Sequence, residues 1–157
     1  MTNSEETRMR FRQEAKVGRQ LLNASGFVGA HYLGHHKSKP FYVMEYIANA
    51  RELDLFGGSL EDRLRRFLRA VNLVSRLHDK GVIHRDLKPA NFLQTKDQIY
   101  LTDFGLARKL GEGAVESSRL TMSHQMMGTP AYMAPEQVDM GNVDQRADIY
   151  SLGIMLV

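Results

Sequence analysis

The stretch from Ser59 to Gly81 constrains the fold more than any other part of the chain. Ser59-Leu60-Glu61-Asp62 has the form of a helix-start capping box, in which a hydroxyl and an acidic side chain three residues on satisfy each other's backbone N–H groups. Leu64, Phe67, Leu68, Val71, Val74 and Leu77 then recur at separations of three and four, which predicts a long amphipathic helix ending at Gly81. A helix with one apolar face needs a second layer to cover it. Arg63, Arg65, Arg66 and Arg69 are interleaved with those apolar residues and read as its solvated face, in preference to a nucleic-acid patch.

After this helix the apolar runs Val82-Ile83, Phe92-Leu93 and Ile99-Tyr100-Leu101 are long enough only for small strands. The last two flank the turn-like Gln94-Thr95-Lys96-Asp97-Gln98. Before it, the sequence predicts a first helix over Arg8 to Leu22, stopped by Asn23, Ser25 and Gly26. Phe27 to Leu33 and Pro40 to Ile47 read as two strands joined by a hairpin at the polar stretch His35 to Lys39. Gly105 to Gln125 lacks periodicity and is rich in Gly, Ser and Thr, so a long functional loop is expected there. A last helix should start near Asp148. With no repeat, low-complexity tract or linker, one domain is the simplest account.

The chain has no cysteine, which excludes disulfides and thiolate metal sites. His31, His35 and His36 fall in strand and hairpin, where the first two imidazoles would not come together, so no zinc site is expected. No apolar run approaches the roughly 20 residues needed to span a bilayer, and the charged opening excludes a signal-peptide core. A net charge of +3 adds no strong pull toward nucleic acid.

His84-Arg85-Asp86-Leu87-Lys88-Pro89-Ala90-Asn91, then Asp103-Phe104-Gly105, then Ala134-Pro135-Glu136 form an ordered set. Any single Asp or Asn here could simply cap its own turn. Turn capping gives no reason for a lysine two places after Asp86, an asparagine five places after it, and a second aspartate at the end of a paired strand. The set resembles the protein kinase superfamily, and the resemblance runs from Arg10 to Val157. It implies an α+β, two-lobe fold, with residues 1–47 as a remnant of the smaller lobe and hinge. Residues 48–157 would form an incomplete larger lobe with the catalytic loop and activation segment.

The activity so implied is transfer of the ATP γ-phosphate to serine or threonine hydroxyls of proteins, with Mg²⁺. Asp86 would orient the hydroxyl or accept its proton, and Lys88 would face the transferring phosphate. Asn91 and Asp103 would supply oxygens to Mg²⁺. By the same resemblance Thr129 would hydrogen-bond the catalytic aspartate and lysine, and His84 would pack under Phe104. Asp148 would tie down the backbone of the catalytic loop. Met44 would guard the rear of the adenine pocket, the backbone of Glu45 and Ile47 would bond the adenine edge, and Leu93 would pack under the ring. Glu14 would be the glutamate that pairs with the ATP-positioning lysine. The wording Lys88-Pro89-Ala90-Asn91 matches the serine/threonine class, and Met127 to Gln137 most resembles bacterial members.

The sequence also departs from the family pattern. No glycine-rich loop and no lysine precede Glu14, and the helices that follow the one containing Asp148 are absent. A domain cut short at both ends, and inactive by itself, is therefore expected; the alternative is a pseudokinase or scaffold that binds without catalysis. Gln125 stands where a phosphorylated threonine is usual, leaving Thr121 and Ser123 as candidates for a phosphate that would pair with Arg85. By the resemblance, the apolar stack linking Phe104 to the first helix would pass through Gly18 and Ala30, both small, which allows a loosely packed, inactive-leaning first helix. A cytoplasmic location is expected, and it leaves room for a membrane-anchored parent.

Overall fold

The capping box forms and starts helix α2 (Leu60–Asp79): Ser59 Oγ accepts the Asp62 N–H at 3.1 Å, and Asp62 Oδ2 accepts the Ser59 N–H at 3.3 Å. At the other end Gly81 takes φ +70°, and its N–H caps the carbonyl of His78 at 2.8 Å. The structure is a computed structural model and describes residues 3–37, 39–109, 129–139 and 142–157. Ala70, Leu73, Val74 and Leu77 are the buried part of the α2 stripe, each large aliphatic side chain contributing about 1.5–3 kcal/mol. Leu64 and Leu68 remain exposed, because the early turns of α2 lie against a loop instead of the core. Arg63 donates to the Leu55 carbonyl and Arg66 to that of Gly57, so two arginines expected to face water pin this loop.

Helix α1 (Asn3–Gln20) begins before the expected Arg8. It buries Val17, and Leu21 in the turn that follows is buried as well. Strands β1 (Ala30–His36) and β2 (Lys39–Met44) form the antiparallel hairpin, but the turn is tighter than expected: His35 pairs with Pro40 and His36 with Lys39. Polar residues extend a strand at no cost where its face meets water.

A three-stranded antiparallel sheet orders β3 (Arg51–Glu52), β5 (Phe92–Gln94) and β6 (Ile99–Leu101) with β5 in the middle. β4 (Val82–Ile83) pairs with β7 (Arg108–Lys109), which lies inside the segment expected to be loop. Strands of two residues carry no periodicity for a sequence reading to detect. The remainder of that expected loop, with Thr121, Ser123 and Gln125, lies outside the described residues.

Two short elements, a 3₁₀ turn at Pro130–Tyr132 and helix α3 (Pro135–Val138), lead to α4 (Arg146–Met155). One core cluster joins Val17 of α1, Leu77 of α2, Phe92, Leu101, Phe104 and Leu152 of α4. The architecture is α+β, as expected. Gly18 and Ala30 are close-packed: a Cβ on Gly18 would meet the Ala30 Cβ at 2.9 Å. The two small residues let α1 and β1 approach closely at this point.

Candidate active site

Arg85 (φ +71°) and Asp103 (φ +63°) hold left-handed conformations in two separate loops. Such conformations are uncommon for residues with a Cβ, and for a bulky side chain they persist only where the surroundings hold them. At Arg85 the hold comes from Asp148, in the first turn of α4. Its carboxylate accepts the His84 N–H at 2.9 Å and the Arg85 N–H at 2.8 Å, and His78 Nε2 reaches it at 2.7 Å. Asp148 is completely buried, and a carboxylate out of water needs such donors. The expected tie to the backbone of the loop at His84 and Arg85 is therefore present, with His78 as an added partner.

Asp86 follows directly, its side chain 12% exposed. Oδ1 accepts the backbone N–H of Thr129 at 2.9 Å, and Oδ2 lies 3.2 Å from Lys88 Nζ. Lys88 in turn donates to Thr129 Oγ1 at 2.8 Å. The three residues expected to interact are thus brought together, with one difference: Thr129 reaches Asp86 through its amide and Lys88 through its hydroxyl. Behind them Gln137 Nε2 donates to the Arg85 carbonyl at 2.8 Å, and Ser151 Oγ to that of Tyr132 at 2.7 Å. The segment after Thr129 is fastened to the loop and to α4.

Asn91 is buried immediately before β5, and its Nδ2 donates to the Asp86 carbonyl at 2.7 Å. With the amide nitrogen so engaged, the side-chain oxygen is the end left to meet a cation. The Thr102 N–H donates to the Asn91 carbonyl at 3.0 Å, extending the β5–β6 ladder and setting Asp103 beside Asn91. Phe104 then turns inward against His84, ring centroids 5.5 Å apart, while His84 Nε2 meets the Thr102 carbonyl at 3.1 Å. That is the packing expected of His84, which is fully buried.

An amide oxygen and an exposed carboxylate are hard donors and fit Mg²⁺, which takes few protein ligands and fills the rest with phosphate and water. Among the described residues no group of three His, Cys, Asp or Glu could hold a metal by itself.

Glu14 of α1 reaches the same region. The Tyr42 hydroxyl bonds its Oε1, and its Oε2 lies 3.5 Å from the place a Cβ would take on Gly105, as does Asp103 Oδ1. Burial pushes the Glu14 carboxyl above its usual range, the Tyr42 bond opposes this, and the Asp103 charge adds to it. Further along β2, Met44 is exposed and the Glu45 N–H is taken by the Gly29 carbonyl at 3.2 Å, so only the carbonyl side of Glu45 is open to a ligand. Ile47 is half-buried, and its carbonyl accepts the Ala50 N–H at 3.4 Å. Leu93 is half-buried and pairs with Glu52, which places it next to the chain leaving Ile47.

Arg85 is largely buried; desolvation first, then the Arg108 charge, lowers its guanidinium to about 10, and Asp148 works the other way. Its Nε has no hydrogen-bond partner. Thr121 and Ser123, the expected phosphate carriers, lie outside the described residues.

Tyr42, His78, Gln13 and Gln137 escaped the sequence reading. Tyr42 hides in an apolar strand, and His78 closes an amphipathic helix. Gln13, which donates to the Ala107 carbonyl at 3.0 Å, looks like an ordinary helix surface residue. Only the fold shows what faces them.

Comparison with protein families matches the protein kinase domain over residues 1–157. Among curated proteins, the serine/threonine-protein kinase PknL of Mycobacterium tuberculosis is 38% identical over 94% of this chain and 37% of its own length. A probable serine/threonine-protein kinase of Clostridium acetobutylicum is 34% identical over 99% of this chain and 23% of its own. The DNA damage-responsive serine/threonine-protein kinase RqkA of Deinococcus radiodurans is 38% identical over 97% of this chain and 23% of its own. The chain therefore spans between about a quarter and somewhat over a third of these relatives.

Proposed function

The chain belongs to the protein kinase family, among bacterial-type serine/threonine members, and from that premise we propose that the protein transfers the γ-phosphoryl group of ATP to serine and threonine hydroxyls of other proteins. One observation carries this reading. Asp86 is held between the Lys88 ammonium and the Thr129 amide, with the Asn91 amide bonded to its carbonyl.

Phosphoryl transfer asks a protein for positioning and charge neutralisation more than for covalent chemistry. Asp86 is the group that orients the incoming hydroxyl and takes its proton. The ammonium of Lys88 shares the same half-buried space and would stabilise charge on the moving phosphoryl group. Thr129 fixes both and forms the floor beneath the acceptor residue. Asn91 and Asp103 would hold Mg²⁺, which when bound neutralises phosphate charge. On the adenine side we assign the Glu45 carbonyl and Ile47 amide to the base edge, Leu93 to its face and Met44 to the rear. Glu14 serves the phosphate end. Residues 1–47 then act as the smaller lobe and hinge, and 48–157 as the larger lobe.

Among the described residues no helix is long and apolar enough to cross a membrane. We place the domain in the cytoplasm, where ATP is supplied. Phosphoamino-acid analysis of the whole protein after incubation with labelled ATP, Mg²⁺ and a mixed protein substrate tests the reading: phosphoserine and phosphothreonine are expected. Label only on tyrosine would refute the class, and nucleotide binding without transfer would favour a scaffold.

A further inference from the structure

Tyr42 grips α1 at two points from β2. Its ring packs on Phe11, centroids 5.1 Å apart, and its hydroxyl bonds Glu14. Phe11 and Glu14 are three residues apart and share one face of the helix. The hydroxyl takes Oε1 of Glu14, while Oε2 is close to the same point beside Gly105 as Asp103 Oδ1.

Two carboxylates that approach one point repel each other, and burial adds a second penalty on the charged form. Glutamate also has the rotamer freedom to swing away toward water. A neutral donor bonded to one oxygen removes that freedom without adding charge.

The geometry points to Tyr42 as a positioning residue for the nucleotide site: its hydroxyl holds Glu14 turned inward beside Asp103. This inference rests on the kinase reading above. It separates two jobs within one side chain, since the ring seats the helix and the oxygen aims the carboxylate. A second tie on the same helix, Gln13 to the Ala107 carbonyl, keeps α1 and the segment after Gly105 in place when the hydroxyl is removed.

Tyr42→Phe keeps the ring on Phe11 and deletes only the grip on Glu14. In steady-state assays of the whole protein with ATP varied, it should lower kcat/KM for ATP about ten-fold, the effect of one hydrogen bond to a charged group. KM for the protein substrate should stay at the wild-type value, and the variant should remain folded. In a Glu14→Ala background the same change should shift kcat/KM by less than about two-fold, because the acceptor is already gone. Equal losses in the two backgrounds, a fully active Tyr42→Phe protein, or a Tyr42→Phe protein that fails to fold would each overturn the proposal. A wild-type protein with no more transfer than Asp86→Asn would overturn the kinase reading itself, and with it this inference; a fully active Tyr42→Phe protein would leave the kinase reading intact.

Discussion

The backbone N–H of Thr129 donates to Asp86 Oδ1 at 2.9 Å, joining two segments 43 residues apart in sequence. The carboxylate of Asp86 is thus positioned by a segment that is local to neither its loop nor its strand. Lys88 closes the triangle, bonded to both. Any change in the path of the chain at Thr129 is therefore felt at Asp86 first.

Asp148 supports this triangle from below. Asp148→Ala would leave the His84 and Arg85 amides in a dry site with no acceptor, and would free Arg85 from its left-handed conformation. Each orphaned donor costs about 1–3 kcal/mol. We expect a loss of about 3 kcal/mol in urea-unfolding free energy, together with loss of transfer.

Glu14 gives a pH dependence of definite sign. Its folded-state pKa lies above the ordinary 4.5, so between those values the folded protein holds a proton that the unfolded chain has released. The stability this group contributes is full below about pH 4.5 and is lost as pH rises through the folded value. Glu14→Gln should therefore be more stable than wild type at pH 7 and indistinguishable from it near pH 4, measured by urea unfolding at both. Transfer should nevertheless fall, since the charge serves the site.

Gly18 tests the contact between α1 and β1. A side chain there meets Ala30 at 2.9 Å, so Gly18→Leu should overpack the contact and destabilise by about 1–3 kcal/mol in the same assay. A stabilised variant would show that this contact has room for a larger side chain.

Much of this was legible in the sequence. The capping box and apolar spacing predicted α2, the motif spacing singled out Asp86, Lys88, Asn91 and Asp103, and the family resemblance added Thr129. His84 under Phe104 and Asp148 on the loop backbone followed from the resemblance and match the geometry. What stayed hidden depends on contacts across elements. β7 has two residues and no pattern, Tyr42 looks like one more strand residue, and the fit of Gly18 on Ala30 shows only when the two elements are seen together. A small residue can mark a void or a close approach, and composition does not say which.

Replacing one oxygen of Asp86 by nitrogen tests the central claim most directly. Asp86→Asn keeps size and leaves an acceptor for the Thr129 amide, but it cannot take a proton from a hydroxyl. With labelled ATP and Mg²⁺, transfer to protein serine and threonine should fall by about 10²–10⁴, the usual contribution of a positioned general base, while nucleotide affinity holds. Transfer at the wild-type rate in Asp86→Asn would contradict the account.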